Sequence, residues 1–381
     1  MELAFKNVGR KNRTLTFCFI ALFFIIPQTV HATDGEKWQP VPEASYPDIL
    51  ELIALRTKAN YDEISSWQGR INIFATDHYY GPNAAEKSHG VDVNSIARDS
   101  QHICLTAKTI ADFAVDVRNN KLYSDFRPIM MQYKAVDLNQ NVPLSKFTGS
   151  SSRTRTILTP EVWMRYETEY EYNPKYHEGR ASKMAFIDVA QKEVYNTQDP
   201  RKYFDIEVNR KVWEVVLLMR KMLLDVGNIR IEGYPCIEIT SMETSSGIKY
   251  RIMSTSKLGD VIKYLRILLE VDEAVGFNVI KREETYPDGI KRYSTKYTYE
   301  DFNGVFIPKT FWMESRNNKG ELTGTSEITI ETTGINKPLP EDTFSIKNLG
   351  VEEGTLVSDN IKKAGFRYSK GNLVPIADSN K

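Results

Sequence analysis

Residues 290–315 read IKRYSTKYTYEDFNGVFIPKTFWMES, and the fold class turns on this stretch. Asn303-Gly304 stands between two long runs rich in Tyr, Thr, Phe, Val and Ile. Asn and Gly both accept positive φ at little cost, so the pair predicts a two-residue hairpin turn. The strands predicted on either side are Ile290–Phe302 and Val305–Ser315, and so short a turn requires antiparallel pairing. Tyr293, Tyr297 and Tyr299 fall on one face by the two-residue repeat of a strand. Val305, Phe306, Ile307, Phe311, Trp312 and Met313 make the second strand apolar on both faces. Such a strand is buried on both sides, or lines a cavity on one. Pro308 has no N–H to give a ladder, so this strand is predicted to be bulged or at an edge there.

The same grammar extends in both directions. Asn317-Asn318-Lys319-Gly320 predicts the next turn and Glu321–Thr333 the next strand. Backward, Pro287-Asp288-Gly289 precedes Ile290, and Phe277–Tyr286, a turn ending at Gly276, and Arg266–Asp272 continue the meander. Ile229–Ile239 and Ile248–Met253 read as earlier strands. Between Pro200 and Val226 the period changes to that of a helix: Phe204, Val208, Val212, Val215, Val216, Met219, Met222 and Leu223 form one stripe. Pro200 suits its start and Gly227 the position just past its end. Its polar face carries Lys202, Arg210, Lys211, Glu214 and Lys221. A second helix is predicted over about Pro47–Tyr61, with Ile49, Leu50, Ile53 and Leu55 near helical spacing and Asp48 and Glu51 favourable in its first turns. Strands are expected at Trp67–Ala75, on both sides of Asn119-Asn120, and at Met184–Val189. Tyr166, Thr168, Tyr170 and Tyr172 alternate with Glu167, Glu169 and Glu171, which predicts a strand with one aromatic and one wet, charged face. Residues 33–45 read as a linker, 77–100 and 147–155 as loops, and 360–381 as a polar, frayed tail. The class expected is α+β: a curved antiparallel sheet whose apolar face is covered by a few amphipathic helices.

The N-terminus follows the pattern of an export signal. Lys6, Arg10, Lys11 and Arg13 precede an apolar run from Thr14 to Ile26, Pro27 breaks it, and Val30-His31-Ala32 offers small side chains for cleavage after Ala32. A periplasmic or extracellular mature chain is therefore expected. The run is shorter than the about 20 residues a bilayer crossing needs, and no later stretch is long and apolar enough to span a membrane. Lys and Arg number 50, as do Asp and Glu; losing residues 1–32 removes four basic residues and one acidic one, leaving a balance near −3. That is no nucleic-acid footprint. Cys104 and Cys236 remain, and can either bridge or stay apart as small buried groups.

No catalytic, metal or cofactor motif emerges. His78, His89, His102 and His177 lack ligand spacing, and His102 and Cys104 are too close in sequence for a zinc motif. There is no nucleophile elbow and no phosphate-cradling glycine loop. Glu283 and Glu284 point to opposite faces of a strand, so they cannot act jointly, and like Glu352 and Glu353 they read as solvated. What remains is apolar surface, either a filled core or an internal site for an apolar ligand.

Three phrases carry a family resemblance. Val271-Asp272 through Gly276-Phe277, followed by Lys281-Arg282-Glu283, is one. Asp301-Phe302-Asn303-Gly304-Val305-Phe306-Ile307-Pro308-Lys309 is the second, and Leu339-Pro340-Glu341-Asp342-Thr343-Phe344 the third. Together they resemble segments of outer-membrane lipoprotein-sorting proteins and of the lipoprotein-carrier-like superfamily. The early helix leading into Trp67-Gln68-Gly69-Arg70-Ile71 fits the same layout. The match covers about a quarter of the chain, residues 266–359, and places residues 46–359 in one carrier-like domain with an insertion around 77–160. The resemblance implies an incomplete barrel wrapped over helices, holding an acyl chain on its concave face. Each buried methylene contributes about 0.8 kcal/mol, so ten give roughly 8 kcal/mol before ordering costs. Val212, Met219, Met222, Tyr297, Phe311 and Trp312 are the expected lining, with a lipid, acyl chain or lipoprotein, or an envelope protein, as partner. The alternative is an interaction module with a filled core and no ligand, not an enzyme in either case.

Overall fold

A computed structural model describes residues 37–81, 100–142, 153–173, 178–189, 199–207, 210–231, 234–258, 262–286 and 288–376. The expected signal peptide, Val208, Pro287, most of the 77–100 loop and residues 147–152 lie outside the described residues. Along the chain run β1 (Gln39–Pro40), α1 (Tyr46–Asp62), β2 (Ser66–Tyr80), β3 (His102–Asp116), β4 (Lys121–Ala135), β5 (Gln140–Val142), β6 (Arg153–Leu158), β7 (Val162–Asn173) and β8 (Glu178–Val189). Then come β9 (Asp205–Glu207), β10 (Arg210–Lys211), α2 (Val212–Val226), β11 (Arg230–Ile231), β12 (Tyr234–Pro235), β13 (Ile237–Thr244), β14 (Gly247–Leu258) and β15 (Ile262–Asp272). The series ends with β16 (Asn278–Thr285), β17 (Lys291–Phe302), β18 (Val305–Arg316), β19 (Leu322–Ile335), β20 (Leu356–Asp359), β21 (Ala364–Ser369) and β22 (Asn372–Pro375). The described residues divide into two units: those within 65–200 and 330–376, and those within 37–64 and 201–329.

In the second unit, β13 to β19 form the expected meander, each strand antiparallel to the next, and β1 adds to β13. Asn303 (φ 58°) and Gly304 (φ 90°) make the tight turn between β17 and β18. Tyr299 pairs with Pro308 and Thr298 with Thr310, leaving Lys309 as an extra residue. That bulge is how a strand accommodates a proline without an N–H. Only from Thr310 onward does β18 also pair with β19. At Phe306 a side chain takes the place of a neighbouring strand. Asn60 Nδ2 donates to Phe306 O and Phe306 N donates to Asn60 Oδ1, both at 2.7 Å.

Helix α1 has Pro47 in its first turn and Asp48 beside it, both favourable there. It buries Leu50, Ile53, Ala54 and Thr57. The Thr57 hydroxyl lies 2.7 Å from Ile53 O and 3.0 Å from Phe277 O, one hydrogen shared between two carbonyls. Helix α2 is shorter than the stripe predicts. Pro200–Phe204 forms a single 3-10 turn and β9 and β10 a small ladder. The reason is local: Lys211 is extended (φ −67°, ψ 155°), and its N–H donates to Glu214 Oε2 at 2.9 Å, which fixes the helix start at Val212. The Lys211 ammonium is held by Asp205 at 2.6 Å and by Arg201 O. Gly227 (φ 74°) closes the helix, as expected. The strand expected over 229–239 is broken into the β11–β12 hairpin and the start of β13.

In the first unit, β2–β3–β4 form one antiparallel ladder, β4 pairs with β6, and β6–β7–β8 continue it. Asn120 (φ 51°) turns β3 into β4. β20 joins β8 in parallel, and the antiparallel β20–β21–β22 follow. Three loop expectations are corrected. Residues 77–80 prolong β2 because β3 offers partners out to His102. Residues 153–155 pair with β7, and Thr154 and Arg155 pair with β4 as well. Residues 364–375 form a hairpin rather than a frayed end. The charged face expected of β7 is not wet at Glu167, which is 6% exposed and ion-paired with Arg165.

Candidate functional site

The alternation of the second unit's strands brings Ile239, Ile252 and Leu269 into one cross-strand row, with Val271 opposite Val279 and Tyr297 opposite Phe311. Both helices lie on this face. Leu50, Ile53 and Ala54 of α1 and Val212, Val215, Val216 and Met219 of α2 join the strand residues in one buried cluster, with Phe311 packed at its margin. The Tyr297 and Phe311 rings meet edge to face at 5.1 Å, a favoured aromatic geometry. The Tyr299 hydroxyl donates to Val279 O at 2.8 Å. Burial pushes the phenols of Tyr297 and Tyr299 up, so neither ionises near neutral pH.

Four of the six expected lining residues, Val212, Met219, Tyr297 and Phe311, thus come together. The other two do not. Met222 lies seven residues beyond the buried Val215, on the same side of α2, but is 41% exposed towards the end of the helix. Trp312 follows Phe311 directly and so faces the other way, where the Lys296 ammonium sits 5.8 Å above its ring. That opposite face is a charge ladder. Glu270 is met by Arg251 at 2.7 Å and Lys281 at 3.5 Å, and Glu283 by Lys281 at 3.4 Å and Lys291 at 2.6 Å. Burial alone would raise Glu283, but the Lys291 hydrogen bond and the two ammonium charges outweigh it and hold the carboxyl below its usual range. Glu284 pairs with Arg282 and Arg292 and is 8% exposed. The two glutamates are therefore ion-paired rather than freely solvated.

Among the described residues, both helices pack directly onto the sheet. A void of about 10 Å³ remains, bordered by Tyr203, Phe204, Val212, Asn278, Val279, Tyr297 and Tyr299. That is at the lower limit for a single water and has no room for an acyl chain. The outer side of α2 is unusual in the opposite sense. Leu217, Leu218 and Leu224 are 42%, 46% and 57% exposed, and Leu52 and Leu55 of α1 are exposed too. Amphipathic helices of globular proteins normally turn charge outward. The sequence stripe predicts the inner face of α2 and passes over the outer one, although Leu217, Leu218 and Leu224 are plain in the sequence. The polar ties of α2 run to its own start through Glu214 and to α1, where Arg220 reaches Pro47 O at 3.2 Å and Glu51 at 2.7 Å.

In the first unit, His78 of β2 and His102 of β3 stand on one face of their ladder. His78 Nδ1 lies 2.9 Å from His102 Nε2. Burial, and then the neighbouring His102, push His78 down to about 4, so it is neutral at physiological pH. Asp77, on the opposite face, is pushed up to about 7 by burial. Both cysteine thiols are free. Among the described residues no group of three metal-ligating side chains is already gathered around one point.

No protein-family profile matches the sequence, and no curated protein matches it. Among solved structures the chain is similar to a DUF1329 family protein from Desulfovibrio piger, at 10% identity and TM-score 0.33, over 81% of this chain and 99% of that one. It is similar to a domain described as an outer membrane lipoprotein-sorting protein from Vibrio parahaemolyticus, at 10% identity and TM-score 0.31, over 79% and 97%. It is also similar to a LolA superfamily protein from Nitrosomonas europaea, at 11% identity and TM-score 0.28, over 77% and 98%. No helix among the described residues is long and apolar enough to cross a membrane.

Proposed function

We propose that this chain is an exported binding protein that takes a lipid or another apolar ligand between α2 and the sheet of its second unit. The observation that supports this reading is that α2 is apolar on two sides. Val212, Val215, Val216 and Met219 are buried inward while Leu217, Leu218 and Leu224 are exposed. A helix of this kind gives up little when it rolls or lifts, because another greasy surface replaces the one withdrawn. The filled interior is then the ligand-free state, with the helix's own side chains occupying the place of the ligand. No titrating group is required, and the chemistry is burial alone at about 25 cal/mol per Å².

The filled interior and the exterior leucines also favour a second reading, a module that meets a partner protein through the outer face of α2. One experiment separates the two. A fluorescent fatty acid is titrated into the purified protein while Trp213, which lies 9% exposed against Tyr61, is followed by emission. The ligand reading expects saturable binding with a change at Trp213, retained in a Leu217→Gln, Leu218→Gln, Leu224→Gln variant. Absence of saturable binding overturns it. Loss of probe binding only in the triple variant moves the contact to the outer face.

A further inference from the structure

Strands β20, β21 and β22 of the first unit have two faces of different character. Alternate residues of a strand share a face. The register puts Val357, Phe366, Tyr368 and Leu373 on one side, in or against the buried cluster that holds Ile157, Tyr166 and Leu349. The other side carries Leu356, Ser358, Gly365, Arg367 and Val374. Ile376 is tied to it through its N–H, which donates to Gly365 O at 3.1 Å. Leu356, Val374 and Ile376 are exposed on this side. An open groove of about 480 Å³ is bordered by Leu356, Ser358, Lys363, Gly365 and Ile376. That volume falls within the roughly 300–1,000 Å³ of small-molecule sites. Gly365 is its floor. A Cβ there would meet the tip of Ile376 at 3.6 Å, an ordinary contact, so nothing in the packing demands a glycine, and its bareness keeps the groove deep.

Two cations frame this depression. Lys363, in the turn at φ 52°, borders it. Arg367 stands two residues beyond Gly365 on the same face, between Leu356 and Val374. Both side chains are exposed, and neither makes an ion pair among the described residues. The Asp359 carboxylate does not compete for them. It lies on the opposite face and accepts the Ile361 and Lys362 N–H groups at 3.1 and 2.9 Å. Apolar walls with uncompensated positive charge suit an anion that has an apolar body.

The backbone edge speaks against a peptide strand as the occupant. Among the described residues β22 pairs with β21 alone. The Ile376 N–H points inward to β21, so by alternation the outward N–H positions fall on Leu373 and Pro375. Proline has no N–H to offer, and it is a common block on open sheet edges. A bilayer is a poor fit too, because the apolar atoms line a depression instead of a ridge. From Lys363 to Arg367 the strand spans about 13 Å at some 3.3 Å per residue, which limits the length of what lies between them.

We propose that this groove binds a medium-chain amphiphilic carboxylate. Its apolar body lies over Gly365, between Leu356 and Ile376, and its charge is met by Lys363 and Arg367. A guanidinium pairs with a carboxylate through two parallel hydrogen bonds, and the lysine stem covers apolar surface while its ammonium stays in water. The site lies wholly in the first unit and does not depend on the ligand reading of the second.

The test uses decanoate carrying a diazirine near its methyl end, irradiated with the purified protein, with labelled peptides mapped by mass spectrometry. The expected result is saturable labelling within Leu356–Ile376, competed by plain decanoate at least tenfold better than by decanol. Gly365→Val, whose side chain fills the floor, abolishes that labelling. Lys363→Gln together with Arg367→Gln weakens decanoate at least tenfold and leaves decanol unchanged. Should Gly365→Val fail to fold, the double variant carries the test, since it alters exposed side chains only. No saturable labelling of Leu356–Ile376, decanol competing as well as decanoate, or labelling indifferent to the substitutions would each overturn the proposal. Flotation with phosphatidylglycerol vesicles that Gly365→Val abolishes, without labelling by decanoate, would overturn it in favour of a membrane contact. Labelling confined to Val212–Val226 refutes this site and supports the one proposed in the second unit. Labelling confined to Leu356–Ile376 supports this site whatever Trp213 reports.

Discussion

Replacing Asn60 by Ala tests how α1 is fixed to the sheet. Its side-chain amide is the neighbour that β18 lacks before Thr310, giving one hydrogen bond to Phe306 O and taking one from Phe306 N, both at 2.7 Å. Each such bond contributes a net 1 kcal/mol or so, and a part-buried backbone group left without a partner adds to the loss. The expected cost is therefore about 2–3 kcal/mol. Urea unfolding followed through Trp213, which reports on the second unit, checks it. With a slope of about 2 kcal/mol per M the midpoint falls by roughly 1–1.5 M, the slope itself unchanged. Asn60→Asp keeps the acceptor but sets a carboxylate against Phe306 O, so at neutral pH it should be no more stable than Asn60→Ala. A loss below about 0.5 kcal/mol in Asn60→Ala, the range of an ordinary surface substitution, would refute the reasoning, because water would then serve Phe306 as well.

Gly69→Ala should disrupt the first unit, since a Cβ there would lie 2.3 Å from the carbonyl oxygen of Glu331; backbone cannot step aside, and a loss above about 2 kcal/mol is expected in thermal unfolding. Asp77 makes stability pH-dependent in an unusual direction. Its folded-state value near 7 lies above the ordinary carboxylate 3.8, so the native state binds the extra proton and stability falls as pH rises between those values. Asp77→Asn, which mimics the neutral acid, should remove that decline, and the gap between variant and wild type should widen from pH 4 to pH 8 by a few kcal/mol, on the order of 1.4 per unit. A constant gap across this range would exclude Asp77 as its source.

The meander was legible because its signals are local. Asn303-Gly304, Gly276 and Gly320 mark turns whatever lies around them, and Pro308 announces a bulge by what it lacks. The misreadings have a common cause, the contacts that sequence distance hides. Nothing near Pro200 says that Glu214 will reach back to the Lys211 N–H and start the helix late. The polar ends at 77–80 and 364–369 look like loops until partner strands absorb their backbone groups. Of the expected lining, Val212, Met219, Tyr297 and Phe311 follow from simple periodicity. Met222 belongs to the stripe, seven residues after Val215, but the stripe does not say where along the helix its cover ends. Trp312 was drawn in by being aromatic, although alternation with Phe311 places it among the lysines.

The two helices are fastened by different kinds of force. Thr57 and Asn60 tie α1 to main-chain atoms of the sheet, and directional bonds of that sort break after a shift of about an ångström. The grip on α2 is mostly shape and grease, which fades gradually with displacement and tolerates sliding. Detachment therefore has an order: amide protons of Val212–Val226 should exchange for deuterium while those of Tyr46–Asp62 are still protected. A cargo that enters this unit would push against the yielding wall and leave the other standing as its floor.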